Sequence, residues 1–115
     1  VQELYKEIHT YLNMEEEIPF EDFEHYYKKV IAMFNDQADQ FQEEDVWRGL
    51  FIAENVMSNA EGRAKEGKGS TAKKYKKMGQ RLQLWAQNFA GRLRQMGYTD
   101  EQMNERFENM FEEEV

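Results

Sequence analysis

The sequence contains no cysteine, which excludes disulfides, thiolate metal sites and a cysteine nucleophile. Proline occurs once and glycine seven times in 115 residues, too little turn punctuation for a chain of many short strands. No apolar run approaches the ~20 residues that span a bilayer, so no membrane partner is expected. The chain starts Val1-Gln2-Glu3-Leu4-Tyr5-Lys6 without a signal-peptide pattern, and a cytoplasmic location is the expectation.

Large apolar side chains are plentiful, with eight Phe, six Tyr and two Trp, the residues that disordered segments lack. The length suits a single domain over residues 1–115 with a core of its own. Net charge is −8, which favours solubility and opposes indiscriminate binding to polyanions. That charge is unevenly placed. Residues 1–61 hold 4 basic and 15 acidic side chains, residues 62–98 hold 10 and 1, and residues 99–115 hold 1 and 7.

Apolar positions recur every three or four residues along most of the chain, the period of an amphipathic helix. Leu4, Tyr5, Ile8, Tyr11 and Leu12 mark a first short helix, about residues 2–13. Pro19 breaks the pattern and starts a second, whose stripe runs from Phe20 to Phe41. Acidic Glu43, Glu44 and Asp45 suit the positive end of a third, which is expected to weaken after Gly62 and stop at Gly67-Lys68-Gly69. Ser70 or Thr71 is positioned to cap a fourth helix reaching Met96. Gly97 then suits a left-handed helix stop, and Thr99 with Gln102 reads as a capping box opening a fifth helix with Met103, Phe107, Met110 and Phe111. The prediction is an all-α fold, a compact bundle of about five helices in which helices two to four form the main core.

Gly62, Gly67 and Lys68 match the spacing of a phosphate-binding loop, but Gly69 stands where that loop needs a hydroxyl and a helix precedes it where a strand is required. Asp22-x-x-His25 has the spacing of one half of a carboxylate-bridged metal bundle; the other histidine, His9, has Lys6 three residues before it, so the second half is missing. Both histidines are expected at the surface or its boundary. No spacing suggests a Ser, His and acid set, and the expectation is a protein without cofactor, metal or catalytic residues.

Trp47-Arg48-Gly49 resembles the W-x-G signature of small secreted helical-hairpin proteins, over three residues only. The Pro19 break, the glycine linker and a fifth helix do not fit two long helices. Met96-Gly97-Tyr98 is similar to the loop of ubiquitin-associated domains, but helix-stop chemistry already accounts for it.

Two features of the fourth helix suggest binding. Its outer face carries Lys73, Lys74, Lys77, Arg81 and Arg92, flanked by Lys68, Lys76 and Arg94. These are the residues of a nucleic-acid surface. The competing expectation is that the acidic flanking helices, or a second copy, compensate this charge. Leu84 stands alone among polar residues of that face, with the small Gly91 two turns on, where a partner helix fits. The expected function is a non-enzymatic protein-protein interaction or regulatory role, with Leu84 and Gly91 as the contact for a protein partner or for self-association; the alternative is a nucleic-acid-associated protein.

Overall fold

Pro19 lacks an amide hydrogen and has a fixed φ, so the chain enters the second helix through it rather than continuing the first. The computed structural model describes residues 1–14 and 16–113. They form α1 (Gln2–Leu12), α2 (Phe20–Gln37), a short 3₁₀ turn (Ala38–Gln40), α3 (Glu43–Glu66), α4 (Gly69–Gln95) and α5 (Asp100–Phe111). Among the described residues there is no strand, and no helix is long and apolar enough to cross a membrane.

The longest helices, α3 and α4, pack as an antiparallel hairpin that forms the spine of the molecule. Buried Leu82, Phe89 and Leu93 of α4 join Val46, Phe51 and Val56 of α3 in a single core. Helix α2 lies along α4 in the same direction: Phe20 and Phe23 meet Tyr75 near one end, and Phe34 meets Trp85 and Phe89 further on. Helix α1 runs opposite to α2, tied by the Tyr26 hydroxyl donating to the Leu4 carbonyl and by Lys29 paired with Glu7. The short α5 crosses the start of α3, where Phe107 and Phe111 pack on Phe51.

The helix ends show which local signals act alone. Gly97, at φ +103°, completes a Schellman stop: Tyr98 N–H donates to the Leu93 carbonyl and Gly97 N–H to that of Arg94. Thr99 and Gln102 form the expected reciprocal capping box. Helix α3 ends at Glu66, before Gly67, as expected, and does not break at Gly62, since hydrogen bonds on both sides outweigh the roughly 1 kcal/mol glycine penalty. Two boundaries differ from expectation. Helix α2 stops at Gln37 instead of reaching Phe41, because Phe41 turns to stack on Phe89 and Arg92 donates to the Ala38 carbonyl. Neither Ser70 nor Thr71 caps α4; the helix starts at Gly69, whose φ of +76° makes the reversal, with Lys68 before it and no side-chain cap.

Trp47-Arg48-Gly49 lies inside α3 rather than between helices. Gly49 faces α4: a Cβ there would sit 3.1 Å from Cε2 of fully buried Phe89. Gly49→Ala is therefore expected to lose about 1–2 kcal/mol, because overpacking exceeds the gain in helix propensity. Gly62→Ala meets nothing within 4 Å and is expected to gain about 0.5–1 kcal/mol. Urea denaturation of the two variants beside the wild type measures both changes.

Candidate functional site

Helix α4 has a stripe of buried side chains, Tyr75, Met78, Leu82, Ala86, Phe89 and Leu93, that fixes which way the rest of it points. At 100° per residue, Lys73, Lys77, Leu84 and Gly91 lie roughly opposite that stripe. Lys73, Lys77, Arg81 and Leu84 are exposed, Leu84 to 67%, and a Cβ on Gly91 would meet nothing within 4 Å. The two features read separately in the sequence thus occupy one outer face, with the cations toward the start of the helix and Leu84 and Gly91 toward its end.

The eight basic residues divide into two groups. Arg92 is turned inward, with Nη1 donating to the Ala38 carbonyl at 2.6 Å and the guanidinium near the Phe89 ring. Arg94 pairs with Asp100 at 3.1 Å across the turn into α5. Lys74 lies over the Phe20 ring, 5.4 Å from its centroid. Lys68, Lys73, Lys76, Lys77 and Arg81 are exposed, and among the described residues none has a carboxylate within ion-pair distance. Compensation by the acidic helices is therefore a matter of direct pairing at Arg92 and Arg94, and not along the first half of α4.

Helix α4 also departs from its neighbours at its start. The other four α-helices each place a carboxylate in the first turn, where it complements the partial positive charge of the helix end. Helix α4 has none in its first turn, and its 27 residues contain no Asp or Glu at all. Lysines crowd the end that already carries positive potential. Such an arrangement gives up local stability and leaves a field available to an anion.

Arg63 precedes these eight basic residues in the sequence and serves the fold. Its Nη1 donates to the Ile18 carbonyl at 2.9 Å and to the Tyr75 hydroxyl at 3.0 Å, and its guanidinium lies 4.6 Å from the Phe23 ring centroid.

Clefts elsewhere present less chemistry. One of about 210 Å³ is enclosed by α1, α2 and α3, with Ile8, Leu12, Phe23 and Val56 in its wall. The hydroxyls of Tyr11 and Tyr26 and the amide of Asn59, which also line it, are already donated to Glu7, Leu4 and Asn55. A shallower cleft of about 390 Å³ beside α5 contains Glu54, whose carboxyl is pushed up by burial and by nearby Glu61. Its neighbour Arg94 is held by Asp100. Asp22 and His25 are both exposed on α2, and no group of three or more metal-ligating side chains occurs among the described residues.

His9, expected near the surface, is buried. Its ring stacks on Phe51 at 5.0 Å and meets the Tyr5 ring edge at 4.7 Å, and Nε2 has no hydrogen-bond partner among the described residues. Burial lowers its pKa below 6.5, against a smaller opposing effect of Glu113. Between the ordinary and the lowered value the unfolded chain binds the proton better, so this contribution to stability is complete above about pH 7 and is lost as pH falls through the lowered pKa. His9→Phe removes that dependence. The variant's advantage over wild type is expected to be constant above about pH 7 and to widen below about pH 6 in urea titrations at several pH values.

No family model, curated protein or solved structure matches this chain.

Proposed function

We propose that the chain is a non-enzymatic binding domain and that the outer face of α4 receives an anionic partner. The observation that carries this reading is a long exposed helix face without a carboxylate, bearing cations that no partner neutralises among the described residues, in a chain whose net charge is −8. At physiological ionic strength charges are screened over about 8 Å, so the local face governs contact more than the distant acidic helices do.

Self-association through Leu84 and Gly91 is less well supported by this geometry. Two copies of α4 laid face to face in parallel would set Lys73, Lys77 and Arg81 against a surface of the same sign, and like charges brought together at an interface cost several kcal/mol. Leu84 and Gly91 belong in this proposal to the anion-binding face, as an apolar contact and a point of close approach. A cytoplasmic location is part of the same proposal.

Retention on immobilised heparin tests the reading. A protein of pI ≈ 4.8 should otherwise pass through at pH 7.5. Wild type is expected to be retained and to elute with salt, the triple variant Lys73→Glu, Lys77→Glu, Arg81→Glu to flow through, and Lys6→Glu to behave as wild type. Flow-through of the wild type at low salt removes the proposal.

A further inference from the structure

Three of the five available cations form a line along α4, with Lys68 before its start and Lys76 to one side. Lys73, Lys77 and Arg81 are spaced by four residues, about 6 Å apart along the axis, and drift only about 40° at each step. Past them the face continues with exposed Gln80, Gln87 and Asn88 around Leu84, and this part is free of charge of either sign. The whole outer surface from Lys73 to Gly91 extends about 27 Å.

Building on the anionic-partner reading, we infer that this face binds the phosphate backbone of a nucleic-acid duplex, with Lys73, Lys77 and Arg81 on successive phosphates. Three observations select this partner class. A row of regularly spaced cations matches a polymer with regularly spaced charges, whereas an acidic protein surface needs no such order. Protein interfaces are anchored by aromatic side chains set in pockets, and this face offers only Leu84; amides and cations without carboxylates are the composition of nucleic-acid interfaces. Single strands are held largely by stacking bases on exposed rings. The aromatic side chains of α4 nearest the three cations, Tyr75 and Trp85, pack toward the core, Tyr75 buried against Phe20 and Phe23 and Trp85 half-buried against Phe34 and Phe89.

Arg92 and Arg94 do not contribute, because Ala38 and Asp100 already hold them. The division between engaged and available cations makes the inference specific: Arg94→Ala is expected to leave affinity unchanged, while Lys77→Ala weakens it for every sequence alike.

Fluorescence anisotropy with a labelled 20-base-pair DNA duplex, the same duplex as RNA, and the single strand tests this. Both duplexes are expected to bind more tightly than the single strand. Three phosphate contacts predict a salt slope near −2.7, or about 40-fold weaker binding at 200 mM than at 50 mM salt. Lys77→Ala should reduce that slope by about one unit. The triple charge reversal should weaken binding on the order of 100-fold with unchanged circular dichroism, since none of the three side chains has an ion pair or hydrogen bond to lose among the described residues. Preference for the single strand, or duplex binding indifferent to Lys73, Lys77 and Arg81, overturns the inference. Heparin retention without duplex binding at 50 mM overturns it too but leaves the anionic-partner reading standing; failure on both surfaces ends both.

Discussion

Phe51→Ala is expected to cost the fold about 3–5 kcal/mol, a large share of the 5–15 kcal/mol by which domains of this size are stable. Phe51 is fully buried on α3 and, among the described residues, is the ring on which aromatic side chains of both α1 and α5 pack. Tyr5 and His9 of α1 lie 5.3 and 5.0 Å from its centroid, and Phe107 and Phe111 of α5 lie 5.2 and 4.9 Å away. Truncation removes the apolar area of the ring and leaves a void that two short helices border from different sides. Neither can move in without dragging its loop, so collapse of the void is only partial. His9 would also lose the stacking partner that offsets its buried, unpartnered nitrogen. Phe111→Ala, at a half-exposed position in the same ring cluster, is expected to cost no more than about 1.5 kcal/mol. Chemical denaturation followed by circular dichroism separates the two. Equal losses would mean that Phe51 is not the shared centre of the cluster.

Much of this architecture is legible in the sequence because the signals are local. Gly97, Thr99 and Gln102 act within five residues of one another, and their hydrogen bonds are formed as the order of residue types requires. The apolar stripe of α4 is equally self-contained, since helical period alone decides that Leu82 and Phe89 face one way and Lys73 and Leu84 the other. What escapes such reading depends on distant partners. Phe41 keeps the period of α2, yet leaves the helix for Phe89, which lies 48 positions further along the chain. His9 sits one turn from Tyr5 on the edge of its stripe, and only the arrival of α3 turns that edge into core.

The binding face divides in the same way. Arg92 and Arg94 look like Lys73 and Lys77 in the sequence, but they stand on the two flanks of α4 where α2 and α5 dock, so each meets an acceptor from another element. Along the first half of the helix α2 packs at Tyr75, while Lys73 and Lys77 lie on the face turned away from that contact. These lysines keep the freedom that composition alone assigned to all four.

Arg63→Ala is expected to lose about 3 kcal/mol, although a sequence reader would place Arg63 among the solvent-facing cations. One nitrogen of its guanidinium joins the carbonyl just before Pro19 to the hydroxyl of Tyr75, and the planar group covers Phe23. The residue thereby holds four pieces together: the approach to α2, the first turns of α2, the end of α3 and the start of α4. A hydrogen bond from a charged donor contributes about 1.5–3 kcal/mol net, and a partly desolvated cation over a ring about 1 kcal/mol. Burial of Nε without an acceptor subtracts from that total. Arg63→Lys should recover less than half of the loss, because an ammonium placed to donate to both oxygens offers no planar group to cover the Phe23 ring. Tyr75→Phe should cost about 1 kcal/mol alone and far less when added to Arg63→Ala, a coupling that a double-mutant cycle reads directly. The approach to α2 should also become a protease target, with cleavage after Glu16 or Glu17 by a glutamate-specific protease faster in Arg63→Ala than in wild type. Full rescue by lysine, with cleavage unchanged, would mean that charge alone, and not the planar guanidinium, holds these pieces together.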